Sequence, residues 1–218
     1  MKRGYKMNNE KFNIFSVPLG LLDYINPIFY SITIITIINN INSLLVKPFN
    51  IIFYIGAVLS IFFGFIIPTG KVMVGLGLIK FKMPVSLVFL VNLGILISGI
   101  TILKYVFNMN IVLVLIILLL IIVTLYLIYR KNKKINTIAV LTGFFGYSTL
   151  YISLITLSIQ KNNYIPTICY IIAIMLFVIL CKIGIKDNLK NPKIHWKIEI
   201  LNVICQGLVT LGTLLLFR

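Results

Sequence analysis

The last apolar stretch of the chain, NPKIHWKIEILNVICQGLVTLGTLLLF over residues 191–217, decides the fold, because it has membrane length and yet carries regularly spaced polar groups. On a helix with about 100° per residue, these groups fall within an arc of roughly 80°. They are His195, Glu199, Asn202, Gln206, Thr210 and Thr213. Exposing such a stripe to lipid would cost free energy, so we expect it to face protein or water.

The whole chain has the composition of a membrane protein. Hydrophobic residues make up 60% of the 218 residues, and the mean hydropathy of +1.09 lies outside the range of soluble domains. The net charge of +16 would also suit nucleic acid, but no nucleic-acid-reading module is recognisable and the lysines cluster between apolar runs. We predict an all-α integral membrane protein that forms one polytopic domain over residues 1–218 and binds no nucleic acid.

Seven apolar runs approach the roughly 20 residues that a transmembrane helix needs. Spans one to seven are predicted at 17–38, 49–67, 85–103, 111–129, 138–159, 165–181 and 198–217. Six spans is the alternative, because span one contains Asp23 and span six is short. The segment 68–71 is predicted to end span two, with 71–83 forming an amphipathic connector at the interface. Span four is almost pure Ile, Leu and Val, which predicts a helix that faces lipid.

The basic residues predict the orientation of the spans. A cytoplasmic N-terminus places sixteen of the twenty basic residues in cytoplasmic segments and the other four outside. The sixteen are Lys2, Arg3, Lys6, Lys11, Lys71, Lys80, Lys82, Arg130, Lys131, Lys133, Lys134, Lys182, Lys186, Lys190, Lys193 and Lys197. The positive-inside rule then predicts seven spans with the C-terminus outside. We expect the basic side to contact the anionic cytoplasmic leaflet of a cell membrane, and the abundance of Ile, Asn and Lys suggests a bacterial source.

Two halves of the chain, 13–104 and 136–218, have similar layouts around the linker helix 111–129. The segment IFYIGA at 52–57 aligns with ICYIIA at 168–173, and two glycines in span three align with two in span seven. These matches predict a parallel 3+1+3 repeat. The layout resembles that of SWEET sugar transporters and of bacterial vitamin carriers of the nicotinamide-riboside type. Their sequence motifs are absent, so the resemblance is one of architecture and implies no family.

Ionisable residues inside the membrane are the first candidates for function. Asp23 shares a face of span one with Asn26 and Tyr30. An unpaired carboxylate inside the membrane would cost several kcal/mol of free energy, so we expect Asp23 to be protonated, paired with a cation or hydrated. Spans one and seven could bring Asp23 near Glu199. The predicted pathway residues are Asp23, Asn26, Tyr30, Asn92, Glu199, Asn202 and Gln206, with Lys71 and His195 as partners on the cytoplasmic side. The structural alternative is an ion pair with a lysine that fixes helix packing.

Span five carries a second stripe of small and polar residues, namely Thr142, Gly146, Thr149, Ser153, Thr156 and Gln160. Small residues let membrane helices approach closely, and hydroxyls can bond back to their own backbone, so packing is the favoured interpretation. The alternative is that this stripe lines a polar path.

These features favour a small-solute or ion-coupled transporter whose polar path is lined by spans one, five and seven. Asn and Gln suit an uncharged polar solute, whereas Asp23 suits a cation or a proton. The alternatives are a lipid-modifying enzyme at the cytoplasmic leaflet, acting through Asp23, His195 and Glu199, and a non-catalytic subunit of a homo- or hetero-oligomer. The chain has one histidine and no HExxH pattern, so we predict no metal site. For the favoured transporter we also predict no cofactor and no catalytic residue.

Overall fold

A computed structural model describes residues 16–41, 45, 47–79, 85–132, 135–185 and 192–218. Within these ranges all regular secondary structure is helical. The helices are α1 (Val17–Asp23), α2 (Ile25–Ile41), α3 (Phe49–Gly75), α4 (Val85–Val106), α5 (Ile111–Asn132), α6 (Ile135–Gln160), α7 (Tyr164–Ile185) and α8 (Pro192–Leu216). Because α1 and α2 form one broken span, the described residues contain seven segments that are long and apolar enough to cross a membrane. The protein is a multi-pass membrane protein.

Six of the seven spans pack in a ring. Going round it, α3 contacts α4, α4 contacts α6, α6 contacts α7, α7 contacts α8, and α8 contacts α2, while α1 returns to α3. The fourth span, α5, lies outside the ring against α6 and is largely exposed, as its Ile, Leu and Val composition predicted. The ring encloses large buried side chains, which include Tyr30, Phe53, Leu150, Tyr151 and Tyr170.

The helix α4 packs closely against both of its neighbours through glycines. A Cβ atom built on Gly94 would lie 2.6 Å from the Gly56 carbonyl oxygen of α3, and one on Gly146 of α6 would lie 2.8 Å from the Leu96 nitrogen. Thr149 also contacts α4, beside Gly99, and donates its hydroxyl hydrogen to the Gly146 carbonyl at 2.8 Å. This part of the span-five stripe is therefore a packing surface against α4, which agrees with the packing interpretation.

The predicted end of span two is wrong. The helix α3 continues through Pro68 to Gly75, so Lys71 lies inside a helix and not in an interfacial connector. A proline is tolerated within a membrane helix because neighbouring groups satisfy the backbone that it frees. Residues 80–83 of the predicted connector lie outside the described residues. The helix α8 begins at Pro192, six residues before the apolar run that predicted span seven.

Ten of the basic residues that predict the orientation lie outside the described residues. They are Lys2, Arg3, Lys6, Lys11, Lys80, Lys82, Lys133, Lys134, Lys186 and Lys190. The cytoplasmic location of the N-terminus therefore stays a prediction. The 3+1+3 repeat stays a prediction as well.

Candidate functional site: a buried ion-pair network

The first span breaks at Tyr24, which separates the end of α1 at Asp23 from the start of α2 at Ile25. Pro27 causes this break, because a proline has no N–H for the carbonyl four residues earlier and its ring clashes with that carbonyl. The break is also the point where the span changes neighbours, since α1 packs mainly on α3 and α2 mainly on α8.

Close contacts hold α1 against the last turns of α3. A Cβ atom on Gly20 would lie 2.7 Å from Val72, and one on Gly75 would lie 2.7 Å from the Val17 nitrogen. At the break itself, the hydroxyl groups of Tyr24 and Thr69 are hydrogen-bonded at 2.7 Å. Only glycine allows the two backbones to come this near. The contact places the end of α1 beside the last two turns of α3.

Four side chains from four helices meet at this place, and we call them the ion-pair network: Asp23, Asn26, Lys71 and Glu199. The Lys71 Nζ atom lies 2.7 Å from Asp23 Oδ2 and 2.5 Å from Glu199 Oε1. The Asn26 amide nitrogen donates to Asp23 Oδ1 at 3.0 Å and to Glu199 Oε2 at 3.3 Å. One hydrogen bond of the network, between Asn26 and Glu199, therefore joins residues that are 173 positions apart in the sequence.

The network is buried within the thickness of the bundle. Its residues are between 5% and 7% exposed. At 1.5 Å per residue, Asp23 and Glu199 lie about 9–10 Å along their helices from one end of the bundle, and Lys71 lies about 6 Å from the same end. We call this end of the bundle, where α1 and α8 begin and α3 ends, the N-terminal end.

The charges of the network do not balance. Within these four described residues, two carboxylates share the ammonium group of Lys71, so the four side chains together carry one excess negative charge when both carboxylates are ionised. Removing an ion from water costs several kcal/mol even after the protein relaxes, and an uncompensated charge keeps that cost. A proton or another cation would balance the charge of these four side chains.

The network also bridges two helix pairs. Asp23 and Lys71 belong to the α1–α3 pair, whereas Asn26 and Glu199 belong to the α2–α8 pair. The Lys71–Glu199 ion pair and the hydrogen bond from Asn26 to Asp23 cross from one pair to the other. Charge in the network therefore acts directly on how firmly these two pairs are held together.

The polar stripe of α8 faces protein, as expected. Glu199, Gln206, Thr210 and Thr213 are buried, and Asn202 is half-buried. The Thr210 hydroxyl is hydrogen-bonded to that of Thr33 at 3.0 Å. The stripe therefore forms a polar seam that joins α8 to α2 and begins at the network.

The other predicted site residues take different positions. Asn92 donates to the Ala139 carbonyl of α6 at 2.8 Å, so it ties α4 to α6 rather than joining the network. His195 is half-buried one turn before Glu199 on α8. Tyr30 and Gln206 are buried deeper in the ring, near the middle of the bundle.

Three further polar residues lie at the level of Tyr30 and Gln206, and the sequence did not single them out: Ser60, Ser98 and Tyr147. Each of the five lies about 18–22 Å along its helix from the N-terminal end, at 1.5 Å per residue. The Tyr30 hydroxyl lies beside those of Ser60 and Ser98, and the side chains of Tyr147 and Gln206 face each other. We call these five residues the midplane layer.

A signal for two of these residues was present in the sequence. Ser60 and Ser98 each follow a glycine by four positions, in Gly56–Ser60 and Gly94–Ser98. This spacing of small residues marks the close contact of α3 with α4, which places both hydroxyls inside the ring. Tyr147 has no comparable signal, because a lone tyrosine in an apolar helix is common.

In the described part of the chain, no three His, Cys, Asp or Glu side chains form a group that could hold a metal ion. Comparisons with protein-family models, with curated proteins and with solved structures found no match.

Proposed function

We propose that the protein is a proton-coupled carrier for a small solute, with the ion-pair network as its proton site. The observation that carries the proposal is the charge imbalance of the network, in which two buried carboxylates share one ammonium group. Ionisable groups inside a membrane protein are expensive to keep and mark ion and proton paths. A proton is favoured over a metal ion because the Lys71 ammonium already lies between the two carboxylates.

Protonation of Glu199 would loosen the bundle at one end. A neutral Glu199 no longer attracts Lys71 as an ion, and the remaining Lys71–Asp23 pair lies wholly within the α1–α3 pair. The two helix pairs are then held together less strongly at their N-terminal end. With the N-terminus in the cytoplasm, as the basic residues predict, this end opens to the cytoplasm.

Two places where a helical backbone hydrogen bond is missing lie side by side, and we call them the backbone weak points. Such an opening would bend the helices there. One is the break at Tyr24, and the other is the Gly64 carbonyl of α3, which has no N–H partner at Pro68. A Cβ atom on Gly64 would lie 3.4 Å from Pro27, so the weak points are in contact across the helix interface. Hinges at helix breaks absorb the backbone changes of domain motions.

The path that we propose runs from the network along α2 and α8 into the midplane layer. Spans one and seven therefore line it, as the sequence suggested, while the contribution of span five comes from Tyr147 and not from the stripe that packs on α4. A purely structural subunit would need neither an unbalanced network nor adjoining backbone weak points.

The test uses the purified protein in liposomes that contain a pH-sensitive dye. A deproteinised low-molecular-mass cell extract, separated by ion exchange into neutral, acidic and basic fractions, is added outside. We expect at least one fraction to drive proton movement in the wild type and none to do so in Glu199→Gln. The control Lys104→Gln alters a charge at the opposite end of the bundle and should behave as the wild type.

Three results would count against this proposal. They are no proton movement with any fraction, equal movement in Glu199→Gln, and movement that requires a sodium gradient and no proton. The last result would assign the network to a metal cation.

A further inference from the structure

The midplane layer holds polar atoms that lack hydrogen-bond partners. Among the described residues, the buried side-chain atoms without a hydrogen bond include Tyr30 Oη, Ser98 Oγ and Asn26 Oδ1. Tyr30 and Ser98 are 5% and 0% exposed, so the protein itself shields them from outside solvent. Buried polar groups are nearly always hydrogen-bonded, and exceptions are found where a ligand or a functional role accounts for them.

The three atoms belong to side chains that are neighbours on α2 and α4. Asn26 and Tyr30 are one helical turn apart on the same face of α2, and the Tyr30 hydroxyl lies beside that of Ser98 on α4. The Tyr30 hydroxyl lies near the hydroxyls of Ser98 and Ser60, but neither contact has the geometry of a hydrogen bond. The Ser60 hydroxyl donates to the carbonyls of its own helix, Gly56 at 2.9 Å and Ala57 at 3.0 Å. Asn26, Tyr30 and Ser98 therefore offer an amide oxygen and two hydroxyl groups without hydrogen bonds.

The charge and shape of the layer restrict what it could bind. Its five members are tyrosine, serine and glutamine, all uncharged, and the ion-pair network lies roughly 9–12 Å nearer the N-terminal end. An ionic solute would enter without a counter-charge, which membrane interiors disfavour. Aromatic rings border the layer, because the Tyr147 ring lies 4.6 Å from Phe177 and 5.6 Å from Tyr151 between centroids. Such rings favour a flat or carbon-rich face on a solute.

From these features we propose that the midplane layer is the solute site of the carrier and that it takes a small uncharged solute with both hydrogen-bond donors and acceptors and one apolar face. The proposal rests on the carrier function given above. A donor on the solute would bind Asn26 Oδ1, while the Tyr30 and Ser98 hydroxyls can each donate or accept.

Asn26 gives this site a physical link to the proton site. Its amide nitrogen already donates to Asp23 and Glu199, and its oxygen is a buried acceptor without a hydrogen bond, one helical turn from Tyr30 of the layer. A solute bound to Asn26 Oδ1 fixes the orientation of the amide and thereby strengthens its hold on both carboxylates. Solute binding and the charge of the network are coupled through this one side chain.

The first half of the test measures the thermal stability of the purified protein without solute. Because the Tyr30 and Ser98 hydroxyls lack partners, Tyr30→Phe and Ser98→Ala should leave the melting temperature unchanged or raise it by roughly 2–4 °C. The matched control is Thr210→Val, whose hydroxyl is bonded to Thr33 and to the Phe29 carbonyl, and it should lower the melting temperature. A clear loss of stability in both Tyr30→Phe and Ser98→Ala would overturn the proposal, because it would assign these hydroxyls to structure.

The second half measures the melting temperature with uridine, glucose and nicotinamide as uncharged probes and with uridine monophosphate, glucose 6-phosphate and nicotinic acid as their charged analogues. We expect an uncharged probe to raise the melting temperature of the wild type, its charged analogue to have no effect, and the increase to be lost in Tyr30→Phe. An increase with charged analogues alone, an increase that survives Tyr30→Phe, or no increase with any probe would overturn the site.

The same measurement separates this inference from the carrier proposal. Glu199→Gln should still be stabilised by the uncharged probe, because the layer is intact, although the coupling through Asn26 changes the size of the increase. The same variant should lose coupled proton movement in liposomes. Proton movement driven by the extract without any stabilisation by an uncharged probe would overturn the solute site alone. Stabilisation by a probe that drives no proton movement in liposomes would overturn the carrier proposal alone.

Discussion

The ammonium group of Lys71 lies 2.5 Å from Glu199 Oε1, and this contact joins helices whose paired residues are 128 positions apart in the chain. The same ammonium group lies 2.7 Å from Asp23 Oδ2. One cation thus holds two anions inside a membrane bundle, and the helices that carry them belong to different packing pairs.

The excess of carboxylates over ammonium predicts an asymmetry among variants. Asp23→Asn and Glu199→Gln each leave one carboxylate for Lys71, so each should change the free energy of unfolding by about 1 kcal/mol or less. The double variant removes both of the carboxylates that contact Lys71 in the described part of the chain and should cost about 3–5 kcal/mol. The measurement is thermal unfolding of the three variants in lipid nanodiscs, where the double variant should melt at least roughly 6 °C lower. Additive effects of the two single changes would argue against a shared ammonium group.

The proline inside α3 should keep that helix able to bend. Pro68→Ala restores the backbone donor for the Gly64 carbonyl, and an interior proline costs about 3 kcal/mol relative to alanine, so the variant should melt at a higher temperature. Proton movement in liposomes should become slower. Pro166→Ala is the control, because Pro166 lies in the first turn of α7, where no helical hydrogen bond is lost. Equal effects of the two changes would show that Pro68 does not act as a hinge.

Close glycine contacts should make α4 intolerant of larger residues. In Gly146→Ala the new methyl group would lie 2.8 Å from the Leu96 nitrogen, and relief of such overpacking costs about 1–3 kcal/mol. The matched change Gly64→Ala places its methyl group 3.4 Å from Pro27, an ordinary contact, and should preserve stability. Melting temperatures of the two variants decide the matter, and a stable Gly146→Ala would contradict the packing of α4 on α6.

The distribution of basic residues predicts a cytoplasmic N-terminus and an external C-terminus. Alkaline phosphatase fused after Arg218 should be active in a bacterial host, and green fluorescent protein fused there should be dark. A truncation after residue 190, which removes the last predicted span, provides the control and should reverse both signals. A fluorescent full-length fusion would reverse the proposed direction of opening.

Much of the fold could be predicted from the sequence, because lipid imposes strong rules on length and polarity. All seven predicted spans correspond to helices of membrane length, and the face of the last span that carries Glu199 and Gln206 is buried as its periodicity required. The end of α3 was placed wrongly, because a proline and a glycine stop helices in water, whereas Pro68 lies within a helix that packs against others.

The candidate site was only partly predictable. The spacing of polar residues identified Asp23, Asn26 and Glu199 but could not establish that they meet, since the contact depends on how α1 packs on α3. Lys71 was expected at the right level of the bundle but in a connector, and its helical position makes it the centre of the network. Ser60 and Ser98 were missed because a serine in an apolar helix usually bonds to its own backbone and marks nothing more.

The most direct test of the account measures whether water reaches the midplane layer. In a background without the cysteines at 169, 181 and 205, single cysteines replace Gln206 in the layer and Ser153 on α6, which are 2% and 0% exposed. A membrane-impermeant thiol reagent is applied to whole cells and to inverted vesicles. The account predicts labelling of Gln206→Cys in inverted vesicles, at a rate that depends on pH and loses this dependence in Glu199→Gln, while Ser153→Cys stays unlabelled. Absence of labelling at position 206 from both sides, as at 153, would contradict the carrier and favour a bundle that serves as a structural subunit.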